Sequence, residues 1–111
     1  MEIKQGDIFW VSLDPIKGHE QSGERPVLVL QNDLLNPHLS TVVIAPITTN
    51  LATKGLFTTC FIEKDTTRLR KDSIVLLYQL RAVDKVRFKK KIGQISPDKM
   101  NEIKFQMALL F

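Results

Sequence analysis

Up to residue 95 the chain is a series of short apolar runs, each closed by a turn-forming residue, and helix grammar appears only after them. The first run, DIFWVSL (Asp7 to Leu13), is rich in aromatic and branched residues and is halted by Asp14-Pro15. PVLVLQ (Pro26 to Gln31) is apolar at successive positions, so both of its faces are buried and it reads as a central strand. TVVIAPI (Thr41 to Ile47) is a third strand; Pro46 cannot donate to a ladder, which places it at an edge or a bend. LFTTCFI (Leu56 to Ile62) is a fourth. SIVLLYQLRAV (Ser73 to Val83) is long enough to predict one bent or bulged strand, and KIGQI (Lys91 to Ile95) is a short sixth. NDLLNPH reads as a turn or short helical segment, with Asn32 and Asp33 as caps and Pro37 as its stop. In the final stretch Ser96 is an N-cap, Pro97 takes the first helical position and Asp98 faces the dipole. Met100, Ile103, Met107 and Leu110 recur at helical spacing and make one apolar face. The expected fold is mainly β: a small, strongly curved barrel with a C-terminal α-helix, in one domain over residues 1–111.

The 111 residues suffice for one core that buries about two thirds of the unfolded surface. A net charge of +4 favours a polyanionic partner without requiring one. The only cysteine, Cys60, rules out an internal disulfide and reads as a small buried hydrophobe within a strand. The start of the chain, MEIKQGDIFW, has no signal-peptide pattern, and no apolar run approaches the roughly 20 residues needed to span a bilayer. A cytoplasmic protein with no membrane partner is expected.

Familiar catalytic grammar is missing: there is no phosphate-binding glycine loop, nucleophile elbow or zinc-protease helix. His19, His38 and Cys60 are too few for a dedicated transition-metal site, so neither a metal nor a cofactor is expected. Three polar clusters remain. Glu20, Gln21 and Arg25 precede the second strand, where Glu20 or Glu24 can simply pair with Arg25 in a solvated loop. Thr48, Thr49 and Asn50 follow the third strand, where hydroxyls commonly satisfy the turn's own backbone. Gln79 and Arg81 interrupt an apolar run, and on one strand they would share a face about 7 Å apart. Taken together, these groups fit metal-free RNA cleavage. A 2′-OH attacking the adjacent phosphorus needs a proton acceptor, a proton donor for the leaving oxygen, and cations or hydroxyls against the phosphorane.

The stretches GDIFWVSLDPIKGHEQSGERPVLVLQND, VVIAPITTN and KDSIVLLYQLRAVDKVRFKKKIGQIS resemble, in order, the successive motifs of the MazF/PemK toxin family. The resemblance runs from Gly6 to the terminal helix. It implies an SH3-like (CcdB/PemK-type) barrel and a symmetric homodimer. It also implies a sequence-specific, ribosome-independent and metal-independent endoribonuclease acting on single-stranded mRNA. The products would end in a 2′,3′-cyclic phosphate and a 5′-OH. The partner would be a cognate antitoxin bound through its acidic C-terminal segment. On this resemblance Arg25, Thr48 and Glu20 are catalytic, with Glu20 either the base or the group that orients Arg25. Gln21, Thr49, Gln79 and Arg81 would bind substrate, and His19 receives no role. The basic run KVRFKKK (Lys85 to Lys91) is either a solvated face or a surface that steers RNA or meets the antitoxin. Two alternatives remain. One is a gyrase-poisoning toxin of the same fold that acts through its terminal helix and final ALLF. The other is a non-catalytic SH3-like interaction module.

Overall fold

The computed structural model describes residues 1–13 and 23–111. The expected Asp14-Pro15 stop and the assignments on His19, Glu20 and Gln21 lie outside the described residues. Along the described chain run β1 (Asp7–Ser12), β2 (Glu24–Val29), β3 (Thr41–Thr48), β4 (Thr59–Ile62), α1 (Lys64–Thr67), β5 (Ser73–Leu76), β6 (Arg81–Asp84), β7 (Phe88–Gln94) and α2 (Pro97–Leu110). The strands form one antiparallel sheet in the order β4-β5-β3-β2-β1-β7, with β6 also paired to β3. Among the described residues strand pairing does not close this curved sheet into a complete barrel.

Alternation along each strand sends apolar residues to both faces. Phe9, Val11, Val27, Val29, Val42, Ile44, Val83 and Phe88 pack together on one, where Phe9 and Phe88 meet edge to face at 5.2 Å. Ile8, Leu28, Leu30, Ala45 and Ile47 pack on the other, against Cys60 and Ile62 of β4, Val75 of β5, and Met100 and Ile103 of α2. The unbroken apolar sequence of β2 follows from this double burial. α2 begins as its sequence predicts: Ser96 Oγ accepts from Lys99 N at 3.1 Å. Met107 and Leu110 continue the buried face that Met100 and Ile103 begin. Gln106 Nε2 donates to the carbonyls of Phe57 (3.0 Å) and Thr59 (2.8 Å), tying the helix to the start of β4. No helix among the described residues is long and apolar enough to cross a membrane.

Several expectations change. The run Ser73 to Val83 is two strands, because a 3₁₀ turn at Leu77–Gln79 separates β5 from β6. The reason lies in β3, which changes partner: Thr41 to Ile44 pair with β6, while Ile47 and Thr48 pair with β5. Pro46 falls at that changeover, so the bend it predicts is present, but β3 is an interior strand rather than an edge. The fourth strand starts at Thr59, not Leu56, since Leu56 and Phe57 are exposed in the preceding turn and Thr59 Oγ1 donates back to Thr53 O at 2.8 Å. The last strand begins at Phe88, three residues before Lys91, because it follows β1 as far as Val11 through two register shifts.

The segment after β2 is held by a polar network. Gln31 Nε2 donates to Asn36 Oδ1 and Thr41 O, both at 3.0 Å, and Asn36 Nδ2 donates to Gln31 O (2.9 Å) and Asp33 Oδ1 (2.9 Å). Asn32 caps the turn through Leu34 N at 2.8 Å. Asp33 instead accepts from Gln5 N at 2.8 Å. That backbone donor, helped by Asn36, Lys4 and Lys104, holds its carboxyl below the usual carboxylate range against the opposing effect of burial.

Candidate active site

β2 opens with Glu24-Arg25-Pro26, and β3 closes with Thr48. In their pairing Val27 lies opposite Pro46, Leu28 opposite Ala45 and Val29 opposite Ile44. Arg25 stands two residues before Val27 and Thr48 two residues after Pro46, so both lie just past the end of this paired stretch. On its other side Arg25 lies across from Val11. Both residues therefore belong to the face that carries Val27 and Ile44, at the open end of the sheet. Arg25 is exposed, but the strand behind it is buried from Val27 onward, so its backbone is rigid while its guanidinium meets solvent. Sequence analysis placed the two residues in separate clusters; the pairing of β2 with β3 puts both near the same end of the sheet.

Thr48 Oγ1 accepts from Asn50 N at 3.1 Å, and Asn50 Oδ1 accepts from Ala52 N at 2.9 Å. The hydroxyl thus satisfies the turn's backbone, as the plain structural reading of this cluster expects. A hydroxyl that accepts still keeps its own proton to donate. The turn fixes the oxygen and leaves the O–H available to a ligand.

The other positions are distributed more widely. Thr49 is exposed and alternates to the opposite face of the sheet. Gln79 lies in the 3₁₀ turn, exposed, with Nε2 donating to the Tyr78 hydroxyl at 3.1 Å. Arg81 starts β6 opposite Ile44 and so shares the face of Arg25 and Thr48, roughly 13 Å further along β3 by strand rise. Gln79 and Arg81 do not lie on one strand, so the alternation expected to align them does not apply. The basic run also divides. Lys85 Nζ donates to Asn36 O, Arg87 Nη1 donates to Ser12 O at 3.2 Å, and Lys91 Nζ pairs with the buried Asp7 carboxylate at 3.1 Å. Phe88 is in the core, and Lys89 and Lys90 are exposed. Cys60 is buried, and desolvation, with Glu102 adding to it against Lys99, pushes its thiol up to about 11. At neutral pH it is a thiol and a poor nucleophile.

Beside the ends of β2 and β3 lies a cavity of about 620 Å³. Thr49 lines it, together with Trp10, Pro26 and the segment from Arg68 to Lys71. Sequence analysis passed over this segment, although three cations in four residues (Arg68, Arg70 and Lys71) were the available signal.

The family model of PemK-like, MazF-like toxins of type II toxin–antitoxin systems matches residues 4–111. The chain belongs to this family. It is 42% identical over 101 residues to Endoribonuclease MazF of Staphylococcus epidermidis, a match that spans 91% of this chain and 84% of that protein. Its fold is similar to that of a Mycobacterium tuberculosis toxin, MazF-mt6, with a TM-score of 0.77 over 93% of both chains at 24% identity. It is also similar to a MazE-MazF structure from Deinococcus radiodurans, with a TM-score of 0.81 at 23% identity over 99% of this chain and 96% of that one. The expected fold, mainly β with a C-terminal helix, is shared with the MazF toxins, while strand pairing among the described residues leaves the expected small SH3-like barrel open.

Proposed function

We propose that this toxin-family chain is an endoribonuclease that cleaves single-stranded mRNA at a specific sequence, without ribosome or metal. The observation that supports the reading is that Arg25 and Thr48 stand on paired strands, each two residues beyond the Val27–Pro46 pair, near one end of the sheet. It is supported by the likeness to Endoribonuclease MazF of Staphylococcus epidermidis.

In the proposed reaction the 2′-OH attacks the adjacent phosphorus, the bond to the 5′-oxygen breaks, and a 2′,3′-cyclic phosphate and a 5′-OH are left. Negative charge builds on the non-bridging oxygens in the transition state. The exposed Arg25 guanidinium, permanently charged and planar, offers two parallel donors to those oxygens. The Thr48 O–H donates to one of them while its own oxygen is held by Asn50 N. Glu20 serves as proton acceptor or orients Arg25, and Gln21 belongs to the substrate-binding set; both lie outside the described residues. Thr49, Gln79 and Arg81 contact the RNA away from the cut bond.

The chain acts as a homodimer. Phe105 and Leu109 are exposed on α2 and Phe111 directly after it, and a second copy would cover them. The partner is an antitoxin whose acidic segment competes with phosphate for the same cations, in keeping with the MazE-MazF complex known for the Deinococcus radiodurans relative. The gyrase-poison and interaction-module readings gain no observation of their own.

Purified protein incubated with a long single-stranded RNA in EDTA is expected to cut it at a recurring sequence, and to behave in light scattering as twice 12.7 kDa. Loss of cutting on chelation, with recovery on adding Mg²⁺ or Mn²⁺, would contradict the metal-free mechanism. A monomer at all concentrations would contradict the dimer.

A further inference from the structure

The cavity beside the strand ends has an organisation that cleavage alone does not require. Trp10 lies on β1 with Pro26 across from it on β2 and Lys90 across from it on β7, so the three share one sheet face. The indole is half-buried, which leaves an aromatic surface in the cavity without removing it from the sheet. Facing it is the connection from α1 to β5, which contributes Arg68, Arg70 and Lys71. Among the described residues none pairs with Arg68, Arg70, Lys71 or Lys90. Lys91 also reaches the cavity wall, but its charge is committed to Asp7.

Arg68 carries a second, independent signal. It ends α1 in the left-handed conformation, with φ 70° and ψ 12°, and is the only non-glycine residue at positive φ among those described. Glycine is the least strained choice for such a cap. A long cation stands there at a conformational cost, and its side chain lines the cavity. Gly93 seats the turn: a Cβ there would come within 1.8 Å of Thr67 O, so only glycine lets the α1–β5 connection lie this close to β7.

We propose that this groove is a nucleotide subsite for the RNA flanking the cleaved bond. One unpaired base stacks on Trp10, and the adjoining phosphates lie on Arg68, Arg70, Lys71 and Lys90. An aromatic platform inside a cationic groove is the physical form of a single-strand binding site. Its position relative to the candidate active site fits: Pro26 follows Arg25 and Thr49 follows Thr48, so the groove starts one residue beyond each, on the opposite face of the sheet. A strand with its scissile phosphate at Arg25 and Thr48 enters the groove by passing over the ends of β2 and β3. This proposal rests on the endoribonuclease reading and extends it, since contacts outside the cut bond contribute to the choice of sequence.

The test uses the full-length protein and a single-stranded RNA containing a mapped cleavage site, either cleavable or blocked by 2′-deoxy at the cut nucleotide. Trp10→Ala is expected to weaken binding of the blocked RNA by roughly 5- to 150-fold, the range for losing one stacked base. Arg68→Gly is expected to weaken it and to lower the slope of log affinity against log salt by about 0.7, one single-strand phosphate contact. Its thermal midpoint should be unchanged or raised, because glycine relieves the left-handed cap. Both variants should raise KM for the cleavable RNA with kcat nearly unchanged. The proposal is overturned if the wild type cleaves while both variants bind the blocked RNA as the wild type does. It is equally overturned if they keep RNA affinity and lose only an acidic antitoxin peptide. A wild type that neither binds nor cleaves RNA would instead refute the endoribonuclease reading, with Trp10→Ala and Arg68→Gly equally inactive.

Discussion

Arg25→Ala is expected to slow RNA cleavage by about 10²–10³-fold, the usual cost of losing one preorganised donor to a transition-state oxyanion. The unfolding midpoint should not move, because Arg25 is exposed at the first turn-out of β2 and the core begins at Val27. Arg25→Lys should recover little activity. It restores the charge but not the planar pair of donors. Thr48→Ala is expected to cost a similar factor and, in addition, to loosen the turn whose Asn50 N–H it satisfies. If both residues act on the same phosphorane, the double variant should lose less than the product of the single losses. Single-turnover rates at saturating RNA measure this without interference from binding. A folded Arg25→Ala protein with wild-type rates would remove Arg25 from the mechanism.

The largest stability effect is expected from Gly93→Ala. Gly93 lies opposite Ile8 in the β1–β7 pairing, on the face crossed by the α1–β5 connection. A Cβ at that position would sit 1.8 Å from Thr67 O and 3.1 Å from Thr67 C, both backbone atoms, so no side-chain rotation relieves the overlap. Either β7 or the connection must move, at a cost of about 3 kcal/mol, the upper end of ordinary overpacking. Gly55→Ala is the matched control. It has open space around it but a φ of +90°, so it pays only for backbone strain, about 1 kcal/mol. Urea unfolding of the two variants beside the wild type compares them, with the midpoint falling much further for Gly93→Ala. Equal shifts would mean that the Thr67 carbonyl does not rest over β7.

What could be read from the sequence follows from how local each feature is. The α2 boundary, its Ser96 cap and its Met100–Ile103–Met107–Leu110 face depend on neighbours within a few residues, and all are as expected. The doubly buried β2 was legible because burial on both faces removes alternation from the sequence itself. The division of Ser73 to Val83 was not, because its cause is the change of partner along β3, at a residue some thirty positions away. Phe88 reads as an aromatic within a basic run, yet it pairs with Val11 and packs on Phe9, which only the β1–β7 register shows. Among the site residues, Arg25 and Thr48 were individually legible from their motifs, while their common position near one end of the sheet depends on which strands pair. The groove was the least legible part. It joins residues from β1, β2, β7 and the α1–β5 connection, and none of them belongs to a continuous motif. The polar network of Gln31, Asn36 and Asp33 was hidden for the same reason, since its value lies in partners at Thr41 and Gln5.

The most direct test of the central claim is the chemistry at the cut ends, with the RNA's own 2′-OH as the variable. Wild-type protein is incubated in EDTA with two RNAs that differ only by 2′-deoxy at the nucleotide preceding the cut. The unmodified RNA should give one new end carrying a 2′,3′-cyclic phosphate and the other a 5′-OH, while the deoxy RNA binds and stays intact. Cleavage of the deoxy RNA, or fragments bearing 5′-phosphates, would show that water and not the 2′-OH attacks the phosphorus, and would contradict the mechanism assigned to Arg25 and Thr48.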